Sequence, residues 1–424
     1  MLNTAGLHRP PTRPLSFLFF STFYPPYCFG GDGEYLYRLS YALAEEGHQV
    51  DVVHCTDAYH FLNGALPLKK DYPEHPNLRR HELESGWGAM SPLLTHQTGY
   101  PLLKRATIQA LLDGKPDVIH YHNLSLLGPG TLLLEPPGQG WVKLYTIHDY
   151  WLVCPTHALW KFKREFCEEA HCLSCTLHSK RPPQLWRYGT LLQRASQQID
   201  QFVTPSLFAA RMHQERGFQQ PMAHLPHFCD LLEPTRDAPR PEIPYFLFVG
   251  RLEDGKGVHE LLRIWERTER HELLLVGEGS LEHQFRALSE HNPRIRFLGW
   301  KSQAELSVLY RHAVATLVPS RVHETFGLIA IESLAQKTPV IARNRGGLAE
   351  NLEASQGGII YESEEGAFQA IQSLIDSPDM RRELGERGHQ YYLAHWTKQA
   401  HLASYFALIH GAARMRYGQL PWNT

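Results

Sequence analysis

The chain has 424 residues, 43% hydrophobic and 20% charged, a balance that fits a folded globular protein long enough for two domains with separate cores. Lys plus Arg number 42 and Asp plus Glu 44, and so near-neutral a charge gives no reason to expect nucleic acid as a partner. The longest apolar runs are strand-length and fall short of the ~20 residues of a membrane span, and seven cysteines, an odd number in a long chain, do not read as the disulfide framework of a secreted protein.

Residues 1–14 are polar and proline-rich, include Arg9 and Arg13, and lead into no apolar signal core. They read as a frayed, cytoplasmic N-terminus. A β-type run at 15–23 follows, then a loop with Gly30, Gly31, Asp32 and Gly33, then a helical pattern over 34–46 with Leu36, Leu39, Ala42 and Leu43 on one face. Gly47 ends that helix, and 48–55 is the next strand. Short strands are predicted at 117–121, 142–147 and 201–204. Strand and helix alternate in the rhythm of a parallel, doubly wound sheet. Residues 231–244 carry four prolines among charges and are the best linker. The alternation then restarts: strand 245–249, helix 258–268, strand 272–276, and further strands at 294–298, 315–318 and 339–342. Residues 398–416 form a terminal helix by pattern, and there is no tandem repeat.

The most informative stretch is 319–350, PSRVHETFGLIAIESLAQKTPVIARNRGGLAE. Glu324 and Glu332 stand eight residues apart, and between them Phe326, Gly327 and Leu328 open a helix. A helix start offers unpaired N–H groups and a partial positive charge, which suit a phosphate. Gly327 keeps no side chain between a ligand and that backbone. A carboxylate on each side can accept hydrogen bonds from neutral hydroxyls, so the pattern fits a diphosphate carrying sugars at both ends. After strand 245–249 come Arg251 and Lys256 in FVGRLEDGKGVHE, a guanidinium fork and a point charge that match a diphosphate. Taken alone, they read equally well as two solvated cations.

These residues carry a resemblance to the retaining nucleotide-sugar glycosyltransferases of the GT-B fold, family 4 (glycosyl transferases group 1). The second half matches through FVGRL...KG, LLLVGEGS, RIRFLGW and the E-x7-E segment with TPVIARNRGGLAE. The first half matches more loosely through Tyr24-Pro25-Pro26, Gly30-Gly31, Thr146-Ile147-His148-Asp149 and Val203-Thr204-Pro205-Ser206. The resemblance implies an α/β chain of two Rossmann-like doubly wound domains facing across a cleft. Residues 1–235 would be the acceptor side, 236–398 the nucleotide-sugar side, and 399–424 a helix returning to the first domain. It implies transfer, with retention, of a sugar from a nucleoside-diphosphate donor to a hydroxyl acceptor in glycan, polysaccharide or glycolipid assembly.

By the same likeness, Arg251 and Lys256 hold the diphosphate and stabilise the departing phosphate. Glu324 binds donor-sugar hydroxyls, helped by the backbone of Phe326, Gly327 and Leu328, and Glu332 binds the ribose. The backbone near Phe297 and Leu298 meets the base, and Gly277 and Glu278 lie near the nucleotide by position. Gly30 and Gly31 let the first domain approach sugar and diphosphate, and His148 faces the donor sugar. No metal is required for catalysis. The other reading of His148-Asp149 is a strand end with a local hydrogen bond. Two departures stand out: Ala335-Gln336-Lys337-Thr338 at a helix exit, and His227-Phe228-Cys229-Asp230 near the hinge. His323 has no assigned role.

Cys154, Cys167, Cys172 and Cys175 crowd one segment and are candidates either for a structural zinc or for plain thiols or disulfides. Lys69, Lys70, Arg79, Arg80, Lys104, Arg105, Lys161, Lys163, Arg164, Lys180 and Arg181, with Trp87, Tyr100 and Trp160 near some of them, form either a surface for anionic lipid and a lipid-linked acceptor or an ordinary solvated face. The membrane reading would put the protein at the inner face of the membrane. Carbohydrate and small-molecule acceptors are equally compatible. A non-catalytic nucleotide-sugar sensor and a nucleotide-sugar epimerase are the competing functions. The base, sugar, linkage and oligomeric state are not specified by the sequence.

Overall fold

The computed structural model describes residues 13–63, 72–230 and 243–422. Lys69, Lys70, Arg9 and most of the expected linker lie outside them. The chain divides into two compact units. The first comprises Met1–Pro205, Ala210–Leu225 and Leu402–Thr424, and the second Ser206–Ala209 and Pro226–His401.

The first unit is built on β1 (Ser16–Phe20), α1 (Gly31–Glu45), β2 (Gln49–His54), α2 (Thr56–Asn63), β3 (Leu78–Glu82), α3 (Met90–Thr98), α4 (Arg105–Leu112), β4 (Val118–Tyr121) and β5 (Val142–Thr146). A small hairpin of β6 (Trp160–Lys161) and β7 (Glu165–Phe166) follows, then α5 (Cys172–His178), α6 (Leu191–Ser196), β8 (Gln201–Thr204), α7 (Leu207–Glu215), which groups with this unit from Ala210 onward, and β9 (Met222–His224). Its main sheet runs in the order β3-β2-β1-β4-β5-β8-β9, with parallel pairing throughout. Every residue of β4 and β5 is buried, as expected for parallel strands covered on both faces.

Helix α1 starts at Gly31, three residues earlier than the apolar periodicity alone predicts. Its first turn carries Asp32 and Glu34, acids that complement the positive end of a helix. Leu36, Leu39, Ala42 and Leu43 are all buried, as their spacing requires.

The second unit comprises β10 (Tyr245–Val249), α8 (Val258–Arg267), β11 (Glu272–Val276), α9 (Glu282–Ser289), β12 (Ile295–Gly299), α10 (Gln303–His312), β13 (Thr316–Val318), α11 (Leu328–Ala335), β14 (Val340–Arg343), α12 (Gly346–Ser355), β15 (Gly358–Tyr361), α13 (Glu364–Asp376) and α14 (Pro378–His395). The sheet order is β12-β11-β10-β13-β14-β15, again all parallel. In both sheets the order reverses after the first strand, which leaves a crevice at the carboxyl ends of β1 and β4 and of β10 and β13.

Caps explain several helix starts. Ser302 and Glu305 form a reciprocal capping box on α10, and Ser377 caps α14 with Pro378 at its first position. The last helix, α15 (Lys398–Tyr417), groups with the first unit from Leu402 onward. There Tyr405 Oη meets His120 Nδ1 at 2.8 Å, and Tyr417 donates to the carbonyl of Trp141 at 2.7 Å.

One expected surface cation is not on the surface. Lys104 is buried, with Nζ 2.6 Å from Asp57 Oδ2 and in contact with Ser91 Oγ. Asp57 also accepts the amide and hydroxyl of Ser85. This knot ties α2, α3 and the segment before α4 together. Asp57→Ala strands the ammonium in a dry interior, so it is expected to destabilise the first unit by about 3–5 kcal/mol. Urea unfolding followed by tryptophan fluorescence will show it as an earlier transition, and an unchanged midpoint would contradict the buried pair.

Candidate functional site

In the second unit, the loop after β10 carries Arg251 and Lys256 and the loop after β13 carries Ser320 and Glu324. The crevice position of these loops follows from the strand order. Glycine makes their close approach feasible. Gly257, at φ +75°, lies where an added Cβ would be 2.1 Å from the Pro319 carbonyl oxygen, and the Arg321 amide donates to the Gly255 carbonyl at 2.9 Å. Across the loop, the Gly347 amide donates to the Glu324 carbonyl at 2.7 Å. Gly346, at φ +70°, sits so close that a Cβ would meet that carbonyl oxygen at 2.3 Å. The Arg-Gly-Gly start of α12 therefore braces the backbone of Glu324.

The side chains converge on one oxygen. Lys256 Nζ lies 2.6 Å from Glu324 Oε1, and Ser320 Oγ donates to the same atom at 2.6 Å. Lysine and glutamate side chains are each 22% exposed. Burial alone pushes the Glu324 carboxyl up, but Lys256, Ser320 and Arg251 outweigh it and hold it below the usual carboxylate range. Arg251 is half exposed and pairs with Glu253 at 2.9 Å. It keeps a guanidinium at the mouth of the loop.

Gly327, at φ +91°, is the N-cap of α11, with Phe326 buried before it and Leu328 the first helical residue. Glu332 lies just over one turn further and accepts a hydrogen bond from Tyr310 Oη at 3.1 Å. Phe297 and Leu298 end the edge strand β12. Its register slips beside Leu275 and Val276, so Leu275 faces Phe297, Val276 faces Gly299, and Leu298 is the extra residue of a bulge. Gly277, at φ +123°, lies against the Gly250 carbonyl, a steric reason for glycine whatever a ligand does.

His323 stacks on Phe208, ring centroids 5.1 Å apart. His227 packs on Phe326, and Phe228 on His401. The exit of α11 needs a left-handed residue, and Lys337 supplies it at φ +62°. A broad open hollow of about 980 Å³ between the end of α12 and α14 is lined by charged side chains such as Arg382, Glu383 and Glu386. Glu324 is bound at the start of α12, so this hollow, beyond the helix's far end, is not part of the site.

In the first unit, Gly30 and Gly31 are exposed at the start of α1 after β1. A Cβ on Gly30 would touch only Asp32 Oδ1, at 3.8 Å, so the bare backbone there is open. Asn123 Nδ2, after β4, donates to Asp32 Oδ2 at 3.3 Å. His148, after β5, has Nε2 2.9 Å from His122 Nδ1 and its ring 5.4 Å from Tyr35. Both histidines line a small cavity with Asn123 and Tyr145. Burial pushes the His148 imidazole below its ordinary value, partly offset by Asp32 and Asp149. Asp149 makes the local bonds of a strand end: it accepts the Trp151 amide at 2.8 Å and lies 3.0 Å from His157 Nδ1.

The four cysteines of 154–175 are free thiols. Cys175 Sγ accepts the Phe162 amide at 3.5 Å, and Cys154 Sγ is 3.3 Å from Thr156 Oγ1. Among the described residues no group of three or more His, Cys, Asp or Glu side chains is arranged to hold a metal ion, so zinc draws no support from the geometry.

Sequence reasoning did not single out Ser320, Tyr310, His122 or the bracing role of Gly346 and Gly347. Ser320 had one signal, a hydroxyl two residues after a strand. Tyr310 and His122 read as ordinary helix and strand residues.

The depressed basicity of His148 has a direct check. An NMR titration of the ring resonances is expected to find it mostly neutral at pH 6.5, where an unperturbed imidazole is half protonated. Since the folded value is lowered, protonation appears only as the pH drops further. A midpoint at or above 6.5 would contradict the burial argument.

The sequence profile described as "Glycosyl transferases group 1" matches residues 235–391, and that described as "Glycosyltransferase Family 4" matches residues 29–232. The chain is 27% identical to a glycogen synthase of Mycobacterium tuberculosis over 390 residues, 84% of each protein. It is 27% identical to the lipopolysaccharide core biosynthesis glycosyltransferase LpsE of Rhizobium meliloti over 173 residues, 40% of this chain and 50% of that protein. In fold it is similar to sucrose-phosphate synthase from Thermosynechococcus elongatus, with a TM-score of 0.71 at 21% identity, covering 94% of this chain and 99% of that one. It is also similar to Anabaena HepE in complex with UDP and glucose, with a TM-score of 0.63 at 15% identity, covering 93% and 99%. The chain belongs to the group 1 glycosyltransferases and has the GT-B fold.

Proposed function

We propose that this glycosyltransferase moves a sugar, with retention of configuration, from a nucleoside-diphosphate donor to a hydroxyl of a carbohydrate, lipid-linked or small-molecule acceptor. The observation that carries the reading is the convergence of Lys256 and Glu324 at the carboxyl ends of β10 and β13, with Arg251 close enough to act on Glu324 and Glu332 one turn into α11. Cations there suit a diphosphate, and carboxylates suit sugar and ribose hydroxyls. The glycogen synthase likeness and the UDP held by HepE support a nucleotide sugar.

In this reading Arg251 and Lys256 bind the diphosphate and stabilise charge on the departing oxygen as the anomeric C–O bond breaks. That oxygen keeps the electron pair. The acceptor hydroxyl attacks the same face, and its proton passes to the departing phosphate. Glu324 is a hydrogen-bond acceptor for donor-sugar hydroxyls rather than a nucleophile, and Glu332 takes the ribose. Backbone near Phe297 and Leu298 meets the base. Phe326, Gly327 and Leu328 present amides at the start of α11. In the first unit Gly30 and Gly31 allow close backbone approach to the donor, and neutral His148 offers a hydrogen bond to a sugar hydroxyl. With two cations on the diphosphate, no step is routed through a metal.

The decisive experiment incubates the protein with UDP-glucose, GDP-mannose and other nucleotide sugars and measures release of nucleoside diphosphate with and without candidate acceptors. Lys256→Ala is expected to lower turnover by 100-fold or more, on the order of the loss of a transition-state charge contact. Tight binding with no turnover on any acceptor would favour the sensor, and interconversion of the sugar on intact nucleotide the epimerase.

No helix among the described residues is long and apolar enough to cross a membrane. A peripheral contact has a structural basis in the first unit. Residues 85–103 contain no Asp, Glu, Lys or Arg, and Trp87, Met90, Leu102 and Leu103 there are exposed. Phe61 and Leu62 at the end of α2 are exposed too, on a helix packed against α3. Arg105, Lys180 and Arg181 are exposed cations of the same unit. This composition fits the headgroup region of an anionic bilayer at the cytoplasmic face. Sedimentation with phosphatidylglycerol-containing vesicles is expected to be salt-sensitive and reduced in a Trp87→Ser, Met90→Ser double variant. Absence of salt-sensitive binding to those vesicles would remove the membrane contact and leave the transferase reading intact.

A further inference from the structure

Lys256 and Ser320 both reach Glu324 Oε1, and among the described residues no hydrogen-bond donor reaches Glu324 Oε2. The ammonium that the proposed function assigns to the diphosphate is thus engaged by the carboxylate assigned to the sugar. The ammonium has three N–H donors, but a phosphate centred on it brings its negative charge directly against the Glu324 carboxylate. A phosphate arriving at Lys256 must therefore compete with Glu324 for the cation. Once the ammonium turns away, the remaining restraint on the carboxylate is the Ser320 hydroxyl, which is 1% exposed and fixed by the end of β13. Ser320 also keeps a partner on a carboxylate that would otherwise lose its only charge-assisted donor.

We propose that the Lys256–Glu324 pair is a placeholder for the donor diphosphate, and that Ser320 is a positioning residue that holds Glu324 in its hydroxyl-accepting pose when the phosphate takes Lys256. This rests on the proposed function and adds two features to it. Glu324 acts as an internal competitor of the nucleotide, and a serine outside the E-x7-E pair sets its geometry. The exchange moves no covalent bond: Lys256 trades a carboxylate oxygen for a phosphate oxygen, and Glu324 trades an ammonium for sugar hydroxyls. Partial exposure of both side chains, 22% each, allows such a trade without unpacking the core.

The test is calorimetric titration of UDP, GDP and ADP into the wild-type chain, Lys256→Ala, Glu324→Gln and the double variant. Turnover of the corresponding nucleotide sugars is then measured in Ser320→Ala and Ser320→Thr. Lys256→Ala is expected to weaken the preferred nucleotide by at least about tenfold, the size of one hydrogen bond to a charged group. Glu324→Gln removes the competing charge and is expected to tighten the same nucleotide by about three- to tenfold while reducing transfer. The gain should vanish in the Lys256→Ala background, as coupled neighbours require.

Ser320→Ala is expected to lower kcat about tenfold, with nucleotide affinity unchanged or weaker, and Ser320→Thr to restore most of it. If Lys256→Ala weakens binding but Glu324→Gln leaves it unchanged or weaker, the placeholder is overturned while the nucleotide site stands. If Ser320→Ala keeps wild-type kcat, or loses stability without a kcat change that Thr rescues, its positioning role is overturned. If no nucleotide binds, or binding ignores Lys256, the proposed function itself fails and the inference goes with it.

Discussion

The second unit turns on a single shared oxygen. Lys256 and Ser320 meet at Glu324 Oε1, and this contact joins the loop after β10 to the loop after β13 across the point where the sheet order reverses. An ion pair in bulk water would be too weak to order two loops, and one buried completely would carry a desolvation cost that its attraction barely offsets. At 22% exposure each, the two side chains occupy the intermediate regime. There the attraction suffices to keep the carboxylate ionised, as its depressed basicity indicates, and water remains close enough for a competing anion to enter.

That contact forms only because the backbones beneath it touch. Gly257 against Pro319 and Gly346 against Glu324 leave no room for a Cβ, and both have positive φ. Each glycine sacrifices chain entropy to bring a loop within hydrogen-bond range. The result is that main-chain contacts bring together the loops whose side chains, Lys256, Ser320 and Glu324, meet. The bulge at Leu298 has a similar logic at the sheet edge: one unpaired residue re-aims the end of β12 where a regular strand would continue past it.

Much of this was legible in the residues. The alternation of strand and helix marked the doubly wound sheets, and strands 201–204, 245–249 and 272–276 match the predicted bounds because each is an apolar run closed by Gly, Pro or a charged turn. Arg251, Lys256, Glu324, Gly327 and Glu332 stood out by residue type and spacing. What the spacing could not carry was partner choice. Nothing in one dimension tells that Lys256 and Glu324, 68 positions apart, share a bond, or that Ser320 is the third member. Lys104 failed in the other direction: a lysine beside an arginine reads as surface, and only the fold brings Asp57 to it, 47 residues earlier. Strand β3 was missed because LRRHE is polar, its position on the sheet edge requiring little apolar surface.

The two units use electrostatics in opposite ways. In the second, charge is concentrated: two cations and two carboxylates border the start of α11. In the first, the carboxyl end of β5 presents His148, whose burial favours the uncharged ring, in hydrogen-bond contact with His122. A neutral imidazole both donates and accepts, so in the His122–His148 contact one ring must give a proton and the other take it. The shared bond couples the tautomer of one ring to that of the other. The His122 ring also packs on that of His120, centroids 4.1 Å apart, and His120 is held between Tyr405 and Thr146. An uncharged ring can hydrogen-bond a neutral group without attracting an anion, whereas the Lys256 ammonium is suited to one, so the chemistry that each unit can offer differs in kind.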